Sequence, residues 1–190
     1  MDTIIIDPNH NDCPPKLRDV PAKPAFRKFW AIGNLGILEK DLFGILCSRR
    51  CPGEIILRAY DLAVDLRERG VPVVGGFQTP MEKEMLALLV KGKQPIVICP
   101  ARGIVGMRIP TPLKQPLAEG RLLILSPFSS QKDRQTRDLA DRRNRFVAHL
   151  ADTLLVIHAD PESQTDKLRR DLIQSGKKPL SPDSLKGPWL

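Results

Sequence analysis

Short, nearly continuous apolar runs separated by helix-length amphipathic segments constrain this 190-residue chain more than any other feature. Leu42–Cys47, Val71–Phe77, Ile96–Cys99, Arg121–Leu125 and Thr153–His158 lack the strict alternation of a half-exposed strand, so they read as strands covered on both faces. Between and after them, apolar residues recur at helical spacing over Pro52–Arg69, Pro80–Val90, Pro110–Ala118, Thr136–Ala151 and Glu162–Gln174. Gly70, Gly92, Gly120 and Gly176 stand where four of these helices should stop. Strand and helix in alternation return the chain to the same edge of a parallel sheet. The expected class is α/β: a doubly wound, mainly parallel Rossmann-like sheet with helices on both faces.

The organisation that follows is a proline-rich N-terminal extension over 1–28, a Rossmann-like domain over 29–180 and a short tail over 181–190. Pro8, Pro14, Pro15, Pro21 and Pro24 suggest that the extension wraps the surface or stays partly disordered. A short edge strand is expected at Lys178–Leu180. No run is long enough to cross a bilayer and no signal peptide is evident, which points to a cytoplasmic protein. Cys13, Cys47, Cys51 and Cys99 show no CxxC spacing and read as reduced thiols, and the three histidines form no ligand cluster, so no metal is expected.

In a doubly wound sheet, ligands bind beyond the carboxyl ends of the strands, near a reversal of strand order. That edge collects Ser48 and Arg49, Gly75 to Thr79, Pro100 to Arg102, Ser126 to Phe128, and Ala159 to Ser163. Ser48 and Arg49 would sit at a helix start, where free N–H groups favour a phosphate, although Ser48 as a simple helix cap is equally in keeping with its position. Gly75-Gly76 permits a ligand to approach the backbone closely, or is plain turn chemistry. Arg143 and Asn144 interrupt the apolar stripe of the fourth helix, formed by Leu139, Ala140, Val147, Leu150 and Ala151. A guanidinium turned inward needs either a carboxylate, for instance Asp141 or Asp152, or an anionic ligand.

The net charge of +8 and a pI near 9.6 favour polyanionic partners. The charge is uneven: Lys132 to Arg145 holds six basic residues against three acids. Neither GxGxxG nor a Walker sequence is present, which argues against ordinary dinucleotide or ATP use. His149 reads as a helix-surface residue, and His158 lies at a strand end where it could touch a ligand. Phe77 and Phe128 are the candidate stacking platforms in a chain that is only 5% aromatic.

Over 29–180 the sequence resembles the Rossmann-like domain of the DprA/Smf DNA-processing family. Ala31-Ile32-Gly33-Asn34 with Leu38 is similar to the family's "G-N-x-x-L-L", and Leu42 to Arg49 to its "aIVGSR" strand and turn, with Cys47 in place of glycine. Val73-Val74-Gly75-Gly76-Phe77 stands at the place of "VVSGlArGID", Arg143-Asn144-Arg145 at "RNR", and Ser163-Gln164-Thr165 at the "SGS" loop. Thr79, Pro80 and Glu82 depart from the family's arginine, glycine and aspartate, which alters its second phosphate-contacting loop. The resemblance implies a non-catalytic binder of single-stranded DNA or oligonucleotide phosphates, needing no cofactor and acting in recombination or transformation. It further implies a RecA-like recombinase as partner and the option of a homodimer. The implied site is Ser48, Arg49, Gly75, Gly76, Arg143, Asn144, Arg145 and Ser163. The alternative is a small-nucleotide sensor or nucleotide-cleaving enzyme similar to the lysine-decarboxylase-like group. Gly75, Gly76, Thr79 and Glu82 partly match that group's "PGGxGTxxE" loop, and Glu82 would then be the catalytic carboxylate. A subunit whose cleft is vestigial is a third option.

Overall fold

A computed structural model describes residues 2–18, 20–21, 26–129 and 136–185. The chain runs β1 (Ile4–Ile6), α1 (Pro15–Arg18), β2 (Phe29–Gly33), β3 (Phe43–Cys47), α2 (Gly53–Glu68), β4 (Val73–Gly75), α3 (Pro80–Leu89) and β5 (Ile96–Ile98). It continues with α4 (Thr111–Ala118), β6 (Leu122–Ser126), α5 (Arg137–Leu150), β7 (Thr153–His158) and α6 (Gln164–Gln174). The strands form one seven-stranded sheet in the order β1-β2-β6-β5-β4-β3-β7. β3 to β7 are mutually parallel, and β1 and β2 add antiparallel at the β6 edge. The doubly wound, mainly parallel architecture expected from the sequence is thus the one observed.

Side-chain alternation sorts each strand between two cores. Phe43, Ile45, Val73, Ile96, Ile98, Leu122 and Ile124 pack under α2, α3 and α4, with Leu62, Met85 and Leu117 as helix partners. Leu46, Val74, Val97, Leu123 and Leu125 face the opposite side, where Phe146, Val147 and Leu150 of α5 and Leu168 of α6 cover them. Gly44 has a packing reason here: a Cβ at that position would lie 2.5 Å from the Ala151 Cβ and 2.8 Å from Leu154 Cδ1. After β3 the chain steps through β4 and β5 to β6, then crosses the other face to place β7 beside β3. Strand order therefore reverses between β3 and β7.

Two expectations need correction. The segment expected to wrap the surface contributes a strand to the sheet: β1 pairs with β2, Ile4 opposite Ala31 and Ile6 opposite Phe29. Leu17 of α1 is fully buried in the α5-side core. Lys16 reinforces this docking through an ion pair with Asp152, whose carboxylate also accepts the Leu42 N–H at 2.7 Å. The segment's apolar content is small, but an exposed sheet edge and an uncovered end of α5 give it somewhere to bury. At the other edge, Lys178–Leu180 forms no strand; a single parallel bridge joins Leu180 to Leu155. Among the described residues, no helix is long and apolar enough to cross a membrane.

If the N-terminal segment belongs to the fold, Leu17→Ala should lower unfolding free energy by about 2–5 kcal/mol, as for other fully buried leucines. Denaturant titration checks this. A loss below about 0.5 kcal/mol would mean that the segment is only loosely laid on the surface.

Candidate nucleic-acid interface

The carboxyl edge of the parallel strands is held by Glu82, a residue buried to 1% exposure in the first turn of α3. Its Oε1 accepts the Cys47 N–H at the end of β3, 2.9 Å away. Its Oε2 accepts the Gln78 N–H at 2.9 Å and the Thr79 N–H at 3.3 Å. Thr79 completes a capping box by accepting the Glu82 N–H on its hydroxyl. Three backbone donors and a helix N-terminus satisfy this carboxylate where it stands. Glu82 therefore clamps the loops after β3 and β4 together. Thr79-Pro80, at odds with the family's loop, here make an N-cap and a proline-led first turn.

Arg143 lies on the neighbouring helix face, buried to 3% exposure, as its place on the α5 stripe implied. Its guanidinium rests on Gly76: a Cβ there would stand 1.4 Å from Nη1 and 2.1 Å from Cζ. The close approach that Gly76 allows is thus taken on one side by Arg143, while Gly76 also lines an open cavity at this edge. Nη1 makes a long 3.5 Å contact to the Cys99 carbonyl, and Nε has no hydrogen-bond partner among the described residues. Asp141 and Asp152, the two carboxylates considered from the sequence, are engaged elsewhere, with Arg145 and Lys16. Burial pushes the Arg143 guanidinium below its ordinary pKa, opposed by the charge of Glu82 and by Cys99. Cys99 itself is pushed up to about 12 by burial, so it stays a neutral thiol.

Ser48 occupies the crevice where strand order reverses. Its N–H donates to the His158 carbonyl at 2.9 Å, and its hydroxyl accepts the Asp160 N–H at 3.0 Å. The Ser48 and Ser163 hydroxyls lie 3.2 Å apart, and Ser163 caps α6 by accepting the Asp166 N–H. Ser48 does not cap α2, whose start at Pro52 has no side-chain cap. It ties β3 to the loop after β7. His158 sits beside it, 3.7 Å from Asp160.

The remaining candidates divide. Arg49, and Arg50 beside it, are exposed on the loop after β3. Gly75 ends β4, its carbonyl accepting the Cys99 N–H. Arg145 turns away from this edge: Nε pairs with Asp141 at 2.9 Å and Nη2 with Asp171 at 2.7 Å, joining α5 to α6. Asn144 is half-buried, with its Oδ1 unpartnered among the described residues. Successive helical residues point about 100° apart, so an RNR tripeptide sends its arginines to different neighbours. Lys132 and Arg134 of the basic run lie outside the described residues. Phe128 is engaged edge-on with Phe26, 6.1 Å between centroids, and Arg142 lies 5.6 Å over its ring, so it offers no free face to a base. His149 accepts or donates at the Lys16 carbonyl, on the docked N-terminal segment.

Cations that the sequence reading did not single out complete the edge. Lys83, Arg102 and Arg108 are exposed and line one open cavity of about 350 Å³ beside Gly76. Of these, Arg102 was recognisable only as a strand-end residue, and Arg108 lies in a loop without a motif. Among the described residues, no group of histidine, cysteine or acidic side chains could hold a metal ion.

Comparison with known proteins agrees with this fold. DNA processing protein A of Streptococcus pneumoniae superposes with a TM-score of 0.74 at 16% identity, over 94% of this chain and 62% of that one. The chain thus spans less than two thirds of that protein. DNA processing protein A of Helicobacter pylori, a structure described for its single-stranded DNA binding mode, gives 0.64 at 18% identity, over 94% and 90%. These likenesses speak for the fold. No curated protein sequence matches. The sequence model of DNA recombination-mediator protein A, in contrast, matches residues 4–166. By that match, which takes in every strand of the sheet, the chain belongs to the DNA recombination-mediator protein A family.

Proposed function

We propose that this protein binds single-stranded DNA through its phosphates, across the carboxyl edge of the sheet, as a non-catalytic step in DNA processing. One observation carries the reading: Arg49, Arg50, Lys83, Arg102 and Arg108 are exposed at this edge and enter no ion pair among the described residues. Other cations are paired, as with Arg145, Arg169 and Arg170, and some, such as Lys91, Lys93 and Lys114, also enter no ion pair among the described residues, so it is the grouping of five along one edge that marks this set. Unpaired cations gathered along one edge make a strip of positive potential suited to a phosphate backbone. The partly buried charge of Arg143 adds to it with little screening. Single-stranded DNA binding by the Helicobacter pylori relative supports the choice of ligand.

Glu82 weighs against the nucleotide-cleaving alternative. A general base needs a lone pair turned toward its substrate, and this carboxylate is surrounded by Cys47, Gln78 and Thr79 backbone donors. Delivery of the bound strand to a RecA-like recombinase, by a homodimer, is the role in recombination that fits this reading.

Affinity for an oligothymidylate should fall steeply with salt, since each phosphate that the protein neutralises releases counterions. Arg102→Ala or Arg49→Ala should each flatten the slope of log affinity against log salt by about 0.7 for every phosphate that the arginine neutralises. A slope that stays the same in both variants would remove these arginines from the interface.

Arg143 gives a second test. Among the described residues no carboxylate closes on it, so Arg143→Met should cost no more than about 1–2 kcal/mol of stability, against about 3–5 kcal/mol for breaking a close buried ion pair. Binding should nonetheless weaken about tenfold or more, because the charge behind the edge is gone. Gly76→Ala should mimic that weaker binding by displacing the guanidinium, with a stability cost of about 1–3 kcal/mol from overpacking. Melting curves paired with binding titrations separate the two effects. Full affinity in both variants would contradict a role for Arg143.

A further inference from the structure

The four cysteines divide between the two faces of the sheet. Cys13 and Cys99 belong to the core on the α5 side, where Cys13 donates to the Pro14 carbonyl and Cys99 lies near Arg143. Cys47 and Cys51 belong to the core on the α2 side. Cys47 is the last residue of β3 and 3% exposed; Cys51 is half-buried, two residues before α2 begins. Between them the chain runs out through Ser48, Arg49 and Arg50 and returns, so that the two thiols meet in hydrogen-bonding contact at the end of β3. Cys47 is held in place, since its N–H donates to Glu82 and the next residue, Ser48, is tied to His158 and Asp160. Cys51 precedes a helix start that no side chain caps.

Burial raises both thiols above their ordinary pKa, but the contact between them works in opposite directions, raising Cys47 and lowering Cys51. Cys51, the more accessible of the two, is thus the one that supplies a thiolate, while Cys47 keeps its proton. We infer that Cys47 and Cys51 are a modification site: a hydroperoxide oxidises them to a disulfide that closes the 48–50 loop, and the closed loop holds Arg49 and Arg50 for the strand. The Cys51 thiolate attacks one oxygen of hydrogen peroxide; an S–O bond forms, the O–O bond breaks, and the departing hydroxide takes up a proton to become water. The Cys47 sulfur then displaces that oxygen from the Cys51 sulfenic acid, forming the S–S bond, and the leaving hydroxide takes the Cys47 proton as a second water. The two thiols lose two electrons and the peroxide gains them; a dithiol reverses the change by exchange. Because the sulfurs already touch, the bridge keeps the path of the loop and removes its freedom, which lowers the ordering cost of binding. That last step rests on the single-strand reading of this edge; the bridge itself does not.

Mass spectrometry of the full chain, reduced and then treated with hydrogen peroxide, reads the bridge without any DNA. The wild type should lose the mass of two hydrogens, faster as pH rises and Cys51 ionises, and regain it with dithiothreitol. Trypsin cuts after Arg49 and Arg50, so the bridge should join two otherwise separate peptides. Cys47→Ala should leave a sulfenic acid at Cys51 that dimedone captures, and Cys51→Ala should leave the buried Cys47 unmodified. A wild type that keeps all its thiols, or a link to Cys13, to Cys99 or between two chains, would overturn the site. On an oligothymidylate, the oxidised wild type should bind about threefold more tightly than the reduced one, with the same salt slope. Equal or weaker binding would overturn the loop's part in holding the strand. A strand that neither form binds, with the bridge mapped to Cys47 and Cys51, would overturn the single-strand reading and leave the modification site standing.

Discussion

The carboxyl edge of this sheet is organised around two buried charges of opposite sign, Glu82 and Arg143, neither of which closes on the other. Glu82 spends its oxygens on the backbone of Cys47, Gln78 and Thr79; Arg143 spreads its guanidinium over Gly76 and reaches toward the Cys99 carbonyl. Between them they tie together the ends of β3, β4 and β5, the start of α3 and the middle of α5. A buried charge without a close partner is expensive in isolation. Here each is offset differently: the carboxylate by backbone donors and a helix terminus, the guanidinium by the field of Glu82. Glycine at position 76 is what makes the arrangement possible, since any side chain would occupy the guanidinium's place.

At the same edge the proposed binding surface rests on a rigid support. Ser48 and Ser163 bridge the point of strand reversal, where many doubly wound proteins hold their ligand, and so stiffen the floor beneath the exposed Arg49. The open ground lies one strand over, above β4 and β5, where Lys83, Arg102 and Arg108 surround an apolar cavity. Arg145 and Asp171 fasten α5 to α6 on the other side, and the N-terminal segment seals the far end of α5 through Leu17 and Lys16. Function on this account depends on an α5 that is anchored over its C-terminal half while it presents one arginine inward.

Much of this was legible in the residues. The apolar runs and their spacing specify the parallel sheet and its helices because burial on both faces leaves a continuous signature. The inward position of Arg143 follows from helical periodicity alone. Four things were less accessible. β1 and β2 are short and antiparallel, and the value of Ile4–Ile6 comes only from an edge that the rest of the fold creates. The role of Gly76 depends on a contact 67 positions away in sequence, since its neighbour is Arg143. Arg145 looks equivalent to Arg143 in the tripeptide, yet about 200° of helix rotation carries it to Asp171 on α6 instead. Arg108 and Lys83 carry no motif at all and become part of a site only through the cavity they share.

The central claim is that a single strand lies over the Gly76 edge, with the Arg143 charge behind it and Arg145 uninvolved. Amide and arginine Nε–H resonances followed during titration with a short oligothymidylate test it most directly. The account predicts progressive shifts at Gly76, Phe77, Gln78 and Arg102 and at the Arg143 Nε–H, while Arg145 and Asp171 stay unmoved. Shifts confined to Arg145, Asp171 and the rest of the α5–α6 face, with Gly76 and Arg143 silent, would contradict it.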